Sequence, residues 1–139
     1  MKSYVFNSEQ KKTIGKSGGV FAKLNLPAGN YVLSARVFIT FPPSYVNNNP
    51  SDNGYRAILS GLLKSTKGEI AHNRLMLNSI TISEGSLILS GGIELETNDT
   101  ITVQCYPDQI IGTGQFGIGF GEVCEISNIV LTAINRPLS

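Results

Sequence analysis

The chain has 139 residues, close to the roughly 150 that is a soft prior for one domain. A domain of that size hides about 68% of the surface its unfolded chain exposes, so it needs neither a disulfide nor a structural metal to stand. With 41% hydrophobic and 15% charged residues, it carries enough apolar area to exclude disorder. Eleven lysines and arginines against ten acidic residues leave a net charge of +1, which excludes a global field for nucleic acid or an anionic membrane. The balance is uneven along the chain. Residues 1–82 carry ten basic and three acidic side chains, and residues 83–139 carry one and seven, a division that predicts pairing between strands of the two halves.

The opening Met1-Lys2-Ser3-Tyr4-Val5-Phe6-Asn7 has an apolar run of three residues, too short for a signal peptide, and no stretch approaches the ~18 apolar residues of a membrane span. Synthesis in a cytoplasm without membrane insertion is therefore expected. Gly15-Lys16-Ser17-Gly18-Gly19 matches a nucleophile elbow in spacing and ends like a phosphate loop, but Gln10 stands where the phosphate loop needs its first glycine. An elbow also needs a strand before it, a helix after it, and histidine and acid partners, a context the pattern here does not supply, so the segment reads as a flexible connection.

Alternation dominates the rest of the chain. Tyr31, Leu33, Ala35, Val37, Ile39 and Phe41 are apolar at every second position with Ser34, Arg36 and Thr40 between them, which predicts a long half-buried strand. The segment Pro42 to Gly54 (PPSYVNNNPSDNG) is long for a connection in a compact domain, and such loops carry function or mobility. Tyr45 offers a stacking surface, and Asn47, Asn48, Asn49, Asp52 and Asn53 offer amide and carboxylate groups that can hydrogen-bond sugar hydroxyls. They are the candidate ligand residues. The apolar runs Ala57 to Leu63, Leu75 to Ile82 and Ser86 to Ser90 suit central strands of a two-layer core. His72, the single histidine, has no triad partners in reach of its pattern and reads as structural.

Glu94 and Glu96 share one strand face, with Asp99 beyond them, and read as a solvated strand end; Asn98-Asp99-Thr100 is a formal glycosylation sequon that reads as a hairpin turn. Ile101, Val103 and Cys105, then Ile129, Leu131 and Ala133, alternate with polar residues and predict two more strands. Gly112-Thr113-Gly114-Gln115-Phe116-Gly117 fits a dinucleotide spacing, but the glycines continue at Gly119 and Gly121 in alternation with Phe116, Ile118 and Phe120. That pattern belongs to a strand with one bare face and not to a turn before a helix. Cys105 and Cys124 show no CxxC spacing and no histidine cluster, so free buried thiols are expected, with no metal and no cofactor. Turn residues recur at short intervals and no capped helical stripe is present. The physical reading is all-β: one antiparallel β-sandwich or jelly-roll domain over residues 1–139.

Three ordered signatures resemble the trimeric jelly-roll family that includes tumour necrosis factor and the globular head of the complement q subunit. Leu24 to Leu33 resembles its F-x5-G-x-Y-x-F element, with leucine at both phenylalanine positions and Gly29 and Tyr31 in place. Leu89 to Val103 resembles its SGG, acidic-apolar strand and G-D turn, with Asn98 for the glycine. Phe116-Gly117-Ile118-Gly119-Phe120 resembles its closing F-S-G-F strand, with Gly117 for the serine, and Cys124 to Pro137 then extends past the usual final strand. Such an extended, short, Met-initiated variant is similar to those of bacteriophage tail and baseplate proteins.

The resemblance implies a homotrimer with Tyr31, Tyr106, Phe116, Ile118, Phe120, Gly117 and Gly119 near the subunit interface. It implies a non-enzymatic module of a virion, or alternatively of a bacterial surface, whose partners are its own copies and a host-surface saccharide or neighbouring virion proteins. Two alternatives stand beside it: an assembly protein with no glycan binding, and a small-substrate enzyme on a jelly-roll scaffold.

Overall fold

The computed structural model describes residues 2–15, 17–41, 56–78, 83–111 and 124–136. Among the described residues nine strands succeed one another: β1 (Ser3–Ser8), β2 (Lys12–Ile14), β3 (Gly19–Leu26), β4 (Gly29–Thr40), β5 (Arg56–Ser65), β6 (Gly68–Asn78), β7 (Glu84–Leu95), β8 (Asp99–Ile111) and β9 (Cys124–Asn135). Among the described residues there is no helix, hence none long and apolar enough to cross a membrane.

The strands pair as a folded-back ribbon. β1 lies antiparallel to β9, β3 to β8, β4 to β7 and β5 to β6, so each early strand meets a late one. The ribbon is rolled until β4 also meets β9 and β5 also meets β8. This is jelly-roll connectivity. It yields two antiparallel sheets: sheet A in the order β1-β9-β4-β7, with β2 continuing along β9, and sheet B in the order β3-β8-β5-β6.

Period-two patterning decides which side of each sheet is buried. Tyr31, Leu33, Ala35, Val37 and Ile39 of β4 and Ile126, Ile129, Leu131 and Ala133 of β9 face inward from sheet A, meeting Ala57, Leu59 and Leu63 of β5 and Ile101, Val103 and Cys105 of β8 in one core. Each fully buried leucine or isoleucine there contributes about 1.5–3 kcal/mol relative to exposure. The sheets approach closely at Gly61 on β5, where a Cβ would be built into the Leu87 side chain on β7. A side chain there would force the layers apart.

Four expectations change. The runs at Leu75 and Ser86 fall on β6 and β7, which are edge strands and not central ones. Their apolar outward residues, Met76 at 65% and Ile88 at 56% exposure, made half-buried strands look buried on both sides. The segment from Cys124 is no extension: it is β9, which sits between β1 and β4 and closes the roll. Asn98 belongs to a turn that carries the chain from β7 in sheet A to β8 in sheet B, so it joins no hairpin.

On the approach to β3 a turn hydrogen bond is present among the described residues. Gly18 N–H donates to the Gly15 carbonyl at 3.0 Å, and at φ 68° Gly18 holds a left-handed conformation that disfavours any side chain. A Cβ there would lie 2.5 Å from the Cys105 carbonyl oxygen.

Candidate functional site

Tyr45, Asn47, Asn48, Asn49, Asp52 and Asn53 lie outside the described residues, as do Phe116, Gly117, Ile118, Gly119 and Phe120. The strand ends that flank the first segment, Phe41 after β4 and Arg56 at the start of β5, stand at the opposite end of the sandwich from the β3–β4 turn at Pro27. Tyr31 is corrected from interface to core. It is 1% exposed within one protomer, its hydroxyl donates to the Pro27 carbonyl at 2.7 Å, and its ring meets Tyr4 edge-on at 6.1 Å. Such a side chain has no surface left for a second subunit. Tyr106 is half-buried on the outer face of sheet B, opposite Ser60 and backed by Gly18.

The described residues present three surfaces with chemical character. The first is the outer face of sheet A. Register across β1, β9, β4 and β7 builds three rows: Ser3–Ile134–Val32–Gly92, Val5–Thr132–Ser34–Ser90 and Asn7–Val130–Arg36–Ile88. Val5 is 58% exposed, Ile88 56%, Val32 38% and Ile134 37%. Between them stand small neutral residues, and Arg36 is the single charge in these rows, its Nε donating to Ser86 Oγ at 3.3 Å. A shallow depression of about 430 Å³ beside Arg36 continues the face past Phe38, Asn128 and Val130. Sequence reasoning missed this face. Its signal was present, since Val32 and Phe38 are apolar at positions the β4 alternation assigns to solvent.

The second surface is the end where the two cross-sheet turns meet. Ala28 N–H donates to Asn98 Oδ1 at 3.3 Å, and Asp99 reaches the β5–β6 hairpin, accepting from Thr66 Oγ1 at 2.8 Å, Thr66 N–H at 3.3 Å and Thr100 N–H at 2.7 Å. Desolvation raises the Asp99 pKa, but these hydrogen bonds and the Lys67 charge outweigh it and hold the carboxyl below its ordinary value. Asp99 thus ties Thr66 of the β5–β6 hairpin to the start of β8. Glu94 and Glu96 are exposed, as a solvated strand end requires.

The third is a polar chain across sheet B. The hydroxyl of Ser60, fully buried on β5, donates to Asp108 Oδ2 on β8, and Asp108 pairs with Arg74 Nε on β6 at 2.9 Å. Here the division of charge between the chain halves becomes a cross-strand ion pair. Serine and aspartate without a nearby histidine make a structural tie. His72 is exposed on β6 in register with Leu62, and among the described residues no group of three or more His, Cys, Asp or Glu converges to hold a metal. Cys105 and Cys124 are free and buried. Burial pushes both thiols up to about 12, with Glu125 adding to the effect at Cys124, so neither is a ready nucleophile.

No protein-family model matches the chain, and no curated protein does. Among solved structures it is similar to the globular domain of zebrafish complement 1qA protein, with a TM-score of 0.48 and 11% identity over 100% of both chains. It is similar as well to the C-terminal domain of EclA, a sugar-binding protein, with a TM-score of 0.40 and 13% identity over 94% of this chain and 79% of that one. A third likeness, TM-score 0.42 and 9% identity, covers 97% of this chain and 34% of a chain from infectious bursal disease virus Gx strain. At TM-scores below 0.5 these likenesses assign neither family nor function.

Proposed function

We infer that this protein is a non-enzymatic binding module that assembles with copies of itself and contacts a saccharide on a host surface. The observation that carries the reading is the outer face of sheet A. Soluble monomers rarely expose apolar patches larger than roughly a few hundred Å², and the centre of an obligate interface is apolar and depleted of charge. Val5, Val32, Ile88 and Ile134, set among serines and threonines with one arginine, have that composition. Three copies are proposed on the resemblance of the strand signatures alone, and a virion, as in a bacteriophage tail or baseplate, or a bacterial surface is proposed as the setting of such an assembly. Assembly would make the binding effective, because several weak sites on one particle gain avidity without new contacts when geometry lets them engage together.

A second reading, an assembly protein without glycan binding, is favoured by Val20 and Met76, which are exposed on the outer face of sheet B and could meet a neighbouring protein. A glycan array bearing host cell-wall saccharides separates the two. The first reading expects a signal from the wild type that falls by roughly a hundredfold in Ile88→Glu, through lost avidity. Tyr45→Ala and Asp52→Ala should each weaken the signal by about tenfold or more without changing the mass in solution. No signal on any glycan turns the assignment to the assembly protein.

A further inference from the structure

Where the β5–β6 hairpin meets the ends of β3 and β8, the surface of sheet B is hollowed by a depression of about 400 Å³, lined by Lys23, Lys64, Thr66, Lys67, Thr100 and Thr102. Register creates it. Lys23 on β3 and Lys64 on β5 both pair with Thr102 on β8, so the two lysines flank one threonine in a single outward row, each about 4.8 Å from it. Their flexible four-carbon stems let both ammonium groups close over the central hydroxyl.

The Lys23 and Lys64 ammonium groups are uncommitted, while the Lys67 charge also acts on Asp99. The one ion pair among the described residues is Arg74 with Asp108, so Lys23, Lys64 and Lys67 have no acidic partner in contact. Thr66 and Thr100 spend their hydroxyls on Asp99 and Asn25, each at 2.8 Å, whereas the hydroxyl of Thr102 has no hydrogen-bond partner among the described residues. Two carboxylates face the row. Glu69 stands opposite Lys64 without reaching it, and Asp99 is occupied in tying Thr66 and Thr100. Those bonds hold the hairpin at the rim to β8.

The geometry points to an oxyanion site here: the Lys23–Thr102–Lys64 row, with Lys67 at its rim, takes a sulfate or uronic carboxylate carried on a saccharide. The saccharide rests on the proposed function, and the anion rests on the row itself. Such a contact would use the face of the sandwich opposite the apolar one, leaving it open to a ligand after assembly.

Calorimetric titration of the full chain with a sulfated, a uronate and a neutral oligosaccharide of equal length tests it. At least one charged probe should bind about tenfold or more tightly than the neutral one, and raising salt from about 0.05 to about 0.5 M should weaken that binding. Lys23→Glu and Lys64→Glu should each cost about tenfold, and Thr102→Val severalfold. Lys11→Glu, the same charge change in the exposed β1–β2 turn, should leave binding within about twofold. Which charged probe binds better identifies the substituent. Equal binding of charged and neutral probes overturns the oxyanion site and leaves the saccharide reading standing, and failure of all three overturns both. Equal losses from Lys11→Glu and Lys64→Glu overturn the site by reducing it to net charge. If Lys64→Glu fails to melt cooperatively, Lys23→Glu and Thr102→Val still decide.

Discussion

The two sheets are alike on the inside and unlike on the outside. Leu33, Val37 and Leu131 of sheet A and Leu59, Leu63 and Val103 of sheet B are all fully buried, and one cysteine from each sheet completes the core. Outside, the middle rows of sheet A hold valines and isoleucines among serines, threonines and the single charge of Arg36, while sheet B carries Lys23, Lys64, Glu69, Arg74 and Asp108. The inner faces answer to the same demand, closure of one core. The outer faces are under no such demand, so their difference carries information about partners that the core does not.

The equivalence of the inner faces predicts the largest effects. Leu33→Ala in sheet A and Leu63→Ala in sheet B should each cost about 3 kcal/mol, within the ~2–5 kcal/mol of buried leucine truncations. Urea unfolding checks this, and a difference above about 2 kcal/mol between them would break the symmetry. The thiols sharpen it through pH. Both are raised in the folded state from 9.0 to about 12, so the folded protein holds its two protons where the unfolded chain releases them. Their contribution is therefore complete below pH 9 and is lost as pH rises toward 12. By pH 10 the loss should be about 1 kcal/mol per thiol. Unfolding at pH 8 and 10 should show a steeper fall for the wild type than for the Cys105→Ala, Cys124→Ala double variant, in which tyrosines and lysines still titrate.

On the outer face of sheet B the polar chain separates a buried group from an exposed one. Asp108→Ala strands the buried Ser60 hydroxyl and should cost about 1–3 kcal/mol. Arg74→Ala removes a largely exposed partner and should cost less than about 1 kcal/mol. Thermal melting of the two variants checks the order, and equal losses would mean that the ion pair and not the hydroxyl carries the tie.

How much of the fold is legible in the sequence depends on where the period-two rule holds. β4, the first half of β8 and most of β9 obey it strictly, and their buried faces can be read from it. β3 escapes it because a bulge between Val20 and Ala22 puts both Phe21 and Ala22 inside, which erases the alternation. β1 escapes it because Val5 is apolar on the side that Tyr4 and Phe6 do not occupy. The same ambiguity moves β6 and β7 to the sheet centres, since an apolar residue in a strand does not say whether its face is covered by core or left outside. The signature at Leu24 to Leu33 and the one at Leu89 to Val103 fall on the two cross-sheet turns that Asn98 joins, so their order along the chain reflects contact in space. The Lys23–Thr102–Lys64 row is not legible, because its members become neighbours only through strand register. Tyr31 is misplaced because an aromatic residue in a strand signature looks the same whether it packs under its own turn or against another subunit.

Away from the polar chain of sheet B, single substitutions of exposed outer-face residues should change stability least, within about 0.5 kcal/mol, and that makes them the sharpest probes of what each face does. The decisive measurement is mass by light scattering at micromolar concentration for the wild type, Val32→Glu on sheet A and Met76→Glu on sheet B. The account predicts three times 14.9 kDa for the wild type and for Met76→Glu, and the mass of one chain for a still folded Val32→Glu. A monomeric wild type, or an assembly that Met76→Glu dissolves and Val32→Glu leaves intact, would contradict it.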